Sequence, residues 1–283
     1  MFQIIGKWCA QGLSIWRSMN TQFNAANKAL ERIATGYRIN RAADDPAGLA
    51  ISEKMRAQIS GLNQAGKNIQ DGISMLQTAE GALNETHAIL QRMRDLAVQS
   101  ASDTLTDDDR ALIQTEYEEL KKEVQRISKD TQFNQKNLIN GDYKDQPFKI
   151  QAGANAGQTI DLYLGDASLS GMGLPDTSSI GTREDAEKAI SEVDGAINQV
   201  SGQRSKLGAY MNRLEHAYNV TMNTHENLVS AESRIRDADI AKEMMNFTEA
   251  SILQQAAQYA MSMHMQQAQS ILQLLKPVPI MNK

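Results

Sequence analysis

LNQAGKNIQDGISMLQTAEGALNETHAIL, residues 62–90, decides the fold. Leu62, Ile69, Leu76, Leu83 and Leu90 stand seven apart, and Met55 extends the series backwards. Ile51, Ile59, Ile73 and Met93 fill neighbouring positions on the same side. An apolar residue every seven, with a companion three or four away, makes one continuous stripe along a helix. The pattern runs for about six heptads between Pro46 and Gln99. At 1.5 Å per residue it implies a rod on the order of 80 Å long. So thin a rod cannot bury its stripe alone and needs other long helices beside it.

A second seam lies far along the chain. Val193, Val200, Leu207, Leu214, Leu228 and Ile235 form another seven-residue series, with Thr221 in its one polar slot. Ile197, Met211 and Tyr218 follow at the companion spacing. Two matched seams separated by a long excursion predict a chain that goes out and comes back as an antiparallel bundle.

Between the seams the punctuation is clear. Gly36 sits where a C-cap glycine ends a helix. Asp44-Asp45-Pro46 supplies an N-cap acid and a first-turn proline for the long helix. After the loop Ser100–Thr104, the run Thr106-Asp107-Asp108-Asp109 opens a third helix. Its apolar set is Ile113, Tyr117, Leu120, Val124 and Ile127, again at 4-3-4-3 spacing, and the short loop makes it antiparallel to the long one. Glu116, Glu118, Glu119, Lys121, Lys122 and Glu123 read as its solvated face. Phe148–Gln151 and Thr159–Leu164 alternate apolar and polar around Gly153-Ala154-Asn155-Ala156-Gly157, which predicts a β-hairpin at about 145–165. Helix resumes near Thr182. Residues 251–275 are rich in Ala, Gln and Met, and Pro277 and Pro279 stop them.

Composition narrows the function classes. Aromatics are 5%, and there are only 5 prolines in 283 residues, which favours long helices over a thick globular core. The net charge of −5 is spread along the chain, so no basic footprint for nucleic acid appears. Cys9 is the one cysteine and excludes an intrachain disulfide. No apolar run reaches membrane-spanning length, and residues 1–18 make a poor secretory signal. Of His87, His216, His225 and His264, only His225 precedes a glutamate. A zinc-peptidase helix needs a second His at the place of Val229. The Asn/Gly hairpin lacks the strand–Gly-rich–helix order of a phosphate loop. The sequence therefore points to no enzyme, no metal and no cofactor.

The chain resembles bacterial flagellin at many ordered motifs over roughly residues 18–275. Gly36-Tyr37-Arg38-Ile39-Asn40-Arg41-Ala42-Ala43-Asp44-Asp45-Pro46-Ala47-Gly48 is similar to the family's Arg-Ile-Asn…Asp-Asp-x-Ala-Gly signature. Asp71–Ser74, Thr78–Leu83 and Gln91-Arg92-Met93-Arg94-Asp95-Leu96-Ala97-Val98-Gln99 resemble its following segments, with Asp95 where Glu is usual. Thr131–Asn134 and Gln151–Asn155 fit its hairpin region. Ser233-Arg234-Ile235-Arg236-Asp237-Ala238-Asp239 and Ile252–Ala256 fit its C-terminal half. The large central variable domain is missing. Both ends depart from the pattern, with Trp8 and Cys9 upstream of Ser18-Met19-Asn20 and Met263-His264-Met265 where small and amide residues are usual.

The resemblance implies a mainly α fold. An elongated bundle of long antiparallel helices would carry a small β-hairpin region, and the N- and C-terminal helices would pair in an inner coiled-coil layer. Residues 1–43 would be the N-terminal polymerisation segment, 44–244 the helical rod and 245–283 the C-terminal inner segment and tail. It implies an extracellular filament subunit for motility, exported by the flagellar type III apparatus without a cleaved signal peptide. The implied partners are further copies of itself, an export chaperone, the filament cap and hook-junction proteins. Ile252, Leu253, Ile271, Leu272, Leu274 and Leu275 resemble the segment a chaperone covers. Gln91, Arg92, Leu96 and Glu116 resemble positions read by the flagellin-sensing Toll-like receptor, with Arg92 and Leu96 expected on one exposed helix face. The alternatives are a hook–filament junction adaptor, or a surface flagellin acting mainly as an adhesion or immune-receptor ligand.

Overall fold

The computed structural model describes the backbone of residues 2–274 and the side chains of residues 10–270. The tail from Leu275 onward, and the side chains of Ile271, Leu272 and Leu274, lie outside the described residues. Five helices and four short strands follow in order: α1 Phe2–Thr35, α2 Pro46–Ser100, α3 Asp107–Asp130, β1 Gln132–Phe133, β2 Lys136–Asn137, β3 Phe148–Gln151, β4 Thr159–Leu162, α4 Arg183–Arg236 and α5 Ile240–Leu274. The chain divides into two compact units. One combines residues 1–56 and 229–283, and the other is residues 57–228.

The second unit holds the large core. Leu62, Ile69, Leu76, Leu83 and Leu90 of α2 are buried there. So are Val193, Val200, Leu207 and Leu214 of α4, and Tyr117 and Val124 of α3. Ion pairs and hydrogen bonds fix the helix directions. Arg94–Asp194, Glu80–Arg204 and Gln70–Tyr218 descend α2 as they climb α4, so the two run antiparallel. Arg110 Nε donates to the Ser100 carbonyl while Arg92 pairs with Glu116, so α3 is antiparallel to α2. Thr106 is the N-cap of α3, and its capping box closes through Asp109, as the sequence leads one to expect.

Thr221 explains its place in an apolar series. Its hydroxyl donates to the Ala152 carbonyl at 3.1 Å, so the buried polar atom is satisfied by the hairpin lying over the seam. The hairpin pairs Phe148 with Leu162 and Gln151 with Thr159 in antiparallel register. Its turn approaches α2 at Gly61, where a β-carbon would come within 2.8 Å of the Ala154 side chain. Only glycine leaves room for that contact.

Three sequence expectations are corrected. Lys121 is not on a solvated face: it is buried, and its Nζ donates to the carbonyls of Asp176 (2.6 Å) and Ser178 (3.1 Å). The loop leading to α4 covers that side of α3 and supplies the acceptors a buried ammonium requires. Ile51, expected beside the stripe, is exposed, and Met55 is only half-buried, because the continuous core of the second unit begins beyond them. Leu96, expected at the surface, is 1% exposed. It stands three past Met93 and six past Leu90, which places it on the apolar stripe.

Candidate functional site

The first unit is organised by an unusual seam. Along α1 the residues withdrawn from solvent include Gly12, Ile15, Met19, Gln22, Ala26, Ala29 and Ile33, at alternating steps of three and four. Along α5 they include Glu243, Phe247, Ala250, Gln254, Ala257, Met261, His264 and Ala268, with the same alternation. That is the heptad spacing of two supercoiled helices. Gly12 lies against the His264 ring, and Arg32 pairs with Glu243 at 3.0 Å, so the two helices run antiparallel. Glu243 is buried, and its other oxygen accepts from Asn246. Most of the seam is small or polar. Alanine and glycine let the backbones approach closely but bury little apolar area.

Ile15, Met19, Ile33, Phe247 and Met261 are the large apolar members of the seam, and a further set points elsewhere. Trp16, Phe23 and Leu30 repeat every seven along α1 and are each about half exposed. Met245, Ile252 and Tyr259 repeat every seven along α5, and Tyr259 is 73% exposed. Each terminal helix therefore carries one seam used within the chain and a second, bulkier stripe left open to water. Exposed contiguous apolar surface of this kind marks a protein–protein contact.

Two motifs nearly 200 residues apart meet beside this pair. Gly36 adopts φ +74° and closes α1 by donating its N–H to the Arg32 carbonyl. Its own carbonyl accepts from Ala238 N, and Arg38 N donates to the Arg236 carbonyl. Tyr37 and Asp237 form a β-bridge, with the Arg236 guanidinium 5.0 Å over the Tyr37 ring and paired to Glu53 at 2.7 Å. Ile39 is wholly buried and abuts Gly48 in the first turn of α2. Asp45 caps that helix by accepting from Gly48 N. Asp44 accepts from the amides of Asn40 and Arg41 and pairs with Lys28 at 2.7 Å. The Lys28 ammonium is the main cause that holds the Asp44 carboxyl at about 2, with those amides adding to it against the opposing effect of burial.

The second unit presents a polar patch. Arg92 binds Glu116 with Nη2 2.7 Å from the carboxylate. Gln91 meets His87 at 3.0 Å instead of joining that pair. Leu96 is in the core and not on the patch, and the exposed apolar side chain four residues from Glu116 is Leu112, 74% exposed. Arg94 pairs with Asp194 on α4, which raises the guanidinium above its usual value. Among the described residues no group of His, Cys, Asp or Glu could hold a metal ion, and no helix is long and apolar enough to cross a membrane.

Residue spacing in the sequence missed the α1–α5 seam. Its 3-4 alternation is present, but most of its places hold glycine, alanine or a polar residue, so a search for large apolar residues passes over it.

Comparisons with known proteins agree with this architecture. Residues 10–144 match the family described as the bacterial flagellin N-terminal helical region, and residues 190–275 match the bacterial flagellin C-terminal helical region. The chain is 49% identical to a flagellin of Halalkalibacterium halodurans, over 92% of this chain and 95% of the relative. It is 46% identical to a flagellin of Bacillus subtilis, over 93% and 97% respectively. It shares its fold with a putative flagellar hook-associated protein from Vibrio parahaemolyticus, at TM-score 0.57 and 16% identity, over 69% of this chain and all of that one.

Proposed function

We propose, on the premise that this chain belongs to the bacterial flagellin family, that α1 and α5 are the surface through which its copies join. The chain is a structural subunit of the flagellar filament, in a short form without a large central domain. The two full-length relatives are flagellins, and the likeness to a hook-associated protein extends to fold alone, so the adaptor reading is not favoured.

One observation carries the assembly reading: the terminal helices meet mostly through small and polar residues while the stripes Trp16-Phe23-Leu30 and Met245-Ile252-Tyr259 stay exposed. Covering such stripes against other copies removes apolar surface from water, at about 25 cal/mol per Å². On this reading residues 1–43 and 245–283 form the inner layer of the filament and residues 44–244 its outer layer. The filament cap and hook-junction proteins would meet the same stripes at the two ends of the polymer.

The stripe also supports a partner before assembly. Ile252 and Leu253 line an open groove with Met244, Met245, Thr248 and Glu249. An export chaperone that covers this groove would keep subunits apart on their way through the flagellar type III apparatus, without a cleaved signal peptide. Ile271, Leu272, Leu274 and Leu275, proposed for the same role, lie outside the described side chains. The Arg92–Glu116 patch, with Gln91 beside it, is the proposed contact for the flagellin-sensing Toll-like receptor. Leu96, in the core, is not part of that contact.

Deleting residues 245–283 tests the assembly reading. The expected product is soluble, helical and unable to polymerise; normal filaments from it would refute the role given to α5.

A further inference from the structure

We propose that the exposed methionines of α5 are a site of oxidative modification that controls assembly: peroxide converts Met244, Met245, Met263 and Met265 to sulfoxides in the free subunit, and the modified stripe no longer joins another copy. The assembly part rests on the reading of α1 and α5 given above, whereas the modification itself stands on accessibility alone.

These four residues are 47–66% exposed. Among the described residues the other methionines are less open. Met75, Met93 and Met172 are buried to within 1% of full coverage, and Met19 and Met261 sit half-buried in the α1–α5 seam. One molecule therefore holds an accessible set and internal controls. Met245 stands in the seven-residue stripe with Ile252 and Tyr259, and it walls an open groove with Met244, Ile252 and Leu253. Met263 stands four past Tyr259 on the same side of α5, and Met265 is exposed on another side of the helix.

The chemistry balances without help from the protein. The sulfur lone pair attacks one oxygen of the peroxide, the S–O bond forms as the O–O bond breaks, and the departing hydroxide takes up the proton to leave as water. Sulfur is oxidised by two electrons and the peroxide is reduced. The product replaces a flexible apolar side chain with a polar, chiral one. In water the sulfoxide oxygen is hydrogen-bonded; in an apolar contact between copies it loses those bonds and finds none. The free subunit tolerates the change, because its α1–α5 seam does not use these four side chains. The contact between copies does not.

Full-length protein is treated with hydrogen peroxide, and each methionine is followed by peptide mass mapping. Growth of filaments from treated and untreated subunits is then compared, together with a variant carrying Met244→Leu, Met245→Leu, Met263→Leu and Met265→Leu. The four exposed sites should oxidise at least tenfold faster than Met75, Met93 and Met172. Treated wild type should keep its helical circular dichroism and grow filaments at least tenfold more slowly. The leucine variant should grow after treatment as it does before. Equal oxidation rates at exposed and buried sites would overturn the modification site. Undiminished growth of oxidised wild type, or equal loss by the leucine variant, would overturn the control of assembly. Failure of untreated wild type to polymerise would instead reject the assembly reading and with it the control, leaving the rates to judge the modification.

Discussion

Leu76 and Leu83 lie mid-stripe and fully buried, whereas Arg94, on the same helix, sits half exposed in an ion pair with Asp194. Truncating either leucine to alanine removes its transfer free energy and leaves a cavity, at a cost of about 2–5 kcal/mol. Arg94→Ala should cost little, as loss of a solvated pair does. Thermal unfolding of the three variants checks the register, and equal shifts would reject it. Asp44 adds a pH dependence. Its carboxyl is held at about 2, below the ordinary 3.8, so its contribution is complete above about pH 4 and is lost as pH falls towards 2. Lys28 is half exposed, so solvent screening reduces that contribution to about 1 kcal/mol. Between pH 5 and 2 the wild type should lose more stability than Lys28→Ala, which lacks the main cause of the depression; parallel losses would contradict the assignment. At the Arg92–Glu116 patch, Arg92→Ala and Glu116→Ala should each weaken binding of monomer to the flagellin-sensing receptor, with circular dichroism unchanged. Undiminished binding by both would remove this pair from the contact.

At the scale of elements, what was legible followed side-chain size. The registers of α2 and α4 within the second unit were readable because leucine, isoleucine and valine mark every seventh place. The caps were readable because Thr106, Asp45 and Gly36 carry local chemistry that needs no tertiary information. Lys121 was misread because its acceptors, the carbonyls of Asp176 and Ser178, come from a loop more than fifty residues away. Leu96 was misread because a resemblance at its position outweighed its own place on the stripe. The resemblance implied that α1 and α5 pair, but spacing did not mark the residues of their seam because most are small or polar; the meeting of Gly36–Asp45 with the segment around Arg236 is likewise a tertiary contact that local sequence does not show. The exposed face of α5 yields a prediction at this scale. A fragment of residues 240–283 should capture the flagellar export chaperone, and residues 46–130 should not. Capture by the second fragment alone would place the chaperone elsewhere.

For the whole molecule, the central claim is that the two terminal helices of a filament subunit meet mostly through small and polar residues and keep the stripes Trp16-Phe23-Leu30 and Met245-Ile252-Tyr259 for contact between copies. Phe23, Ile252 and Tyr259 belong to the open stripes and not to the seam. Changing all three to glutamine should leave the subunit's own packing nearly intact while adding buried, unpaired amides to every contact between copies. Electron microscopy of wild-type protein and this full-length triple variant, with circular dichroism to confirm equal helicity, tests the claim directly. The account predicts long helical filaments from the wild type and none from an equally helical variant; filaments of normal length from the variant would contradict it.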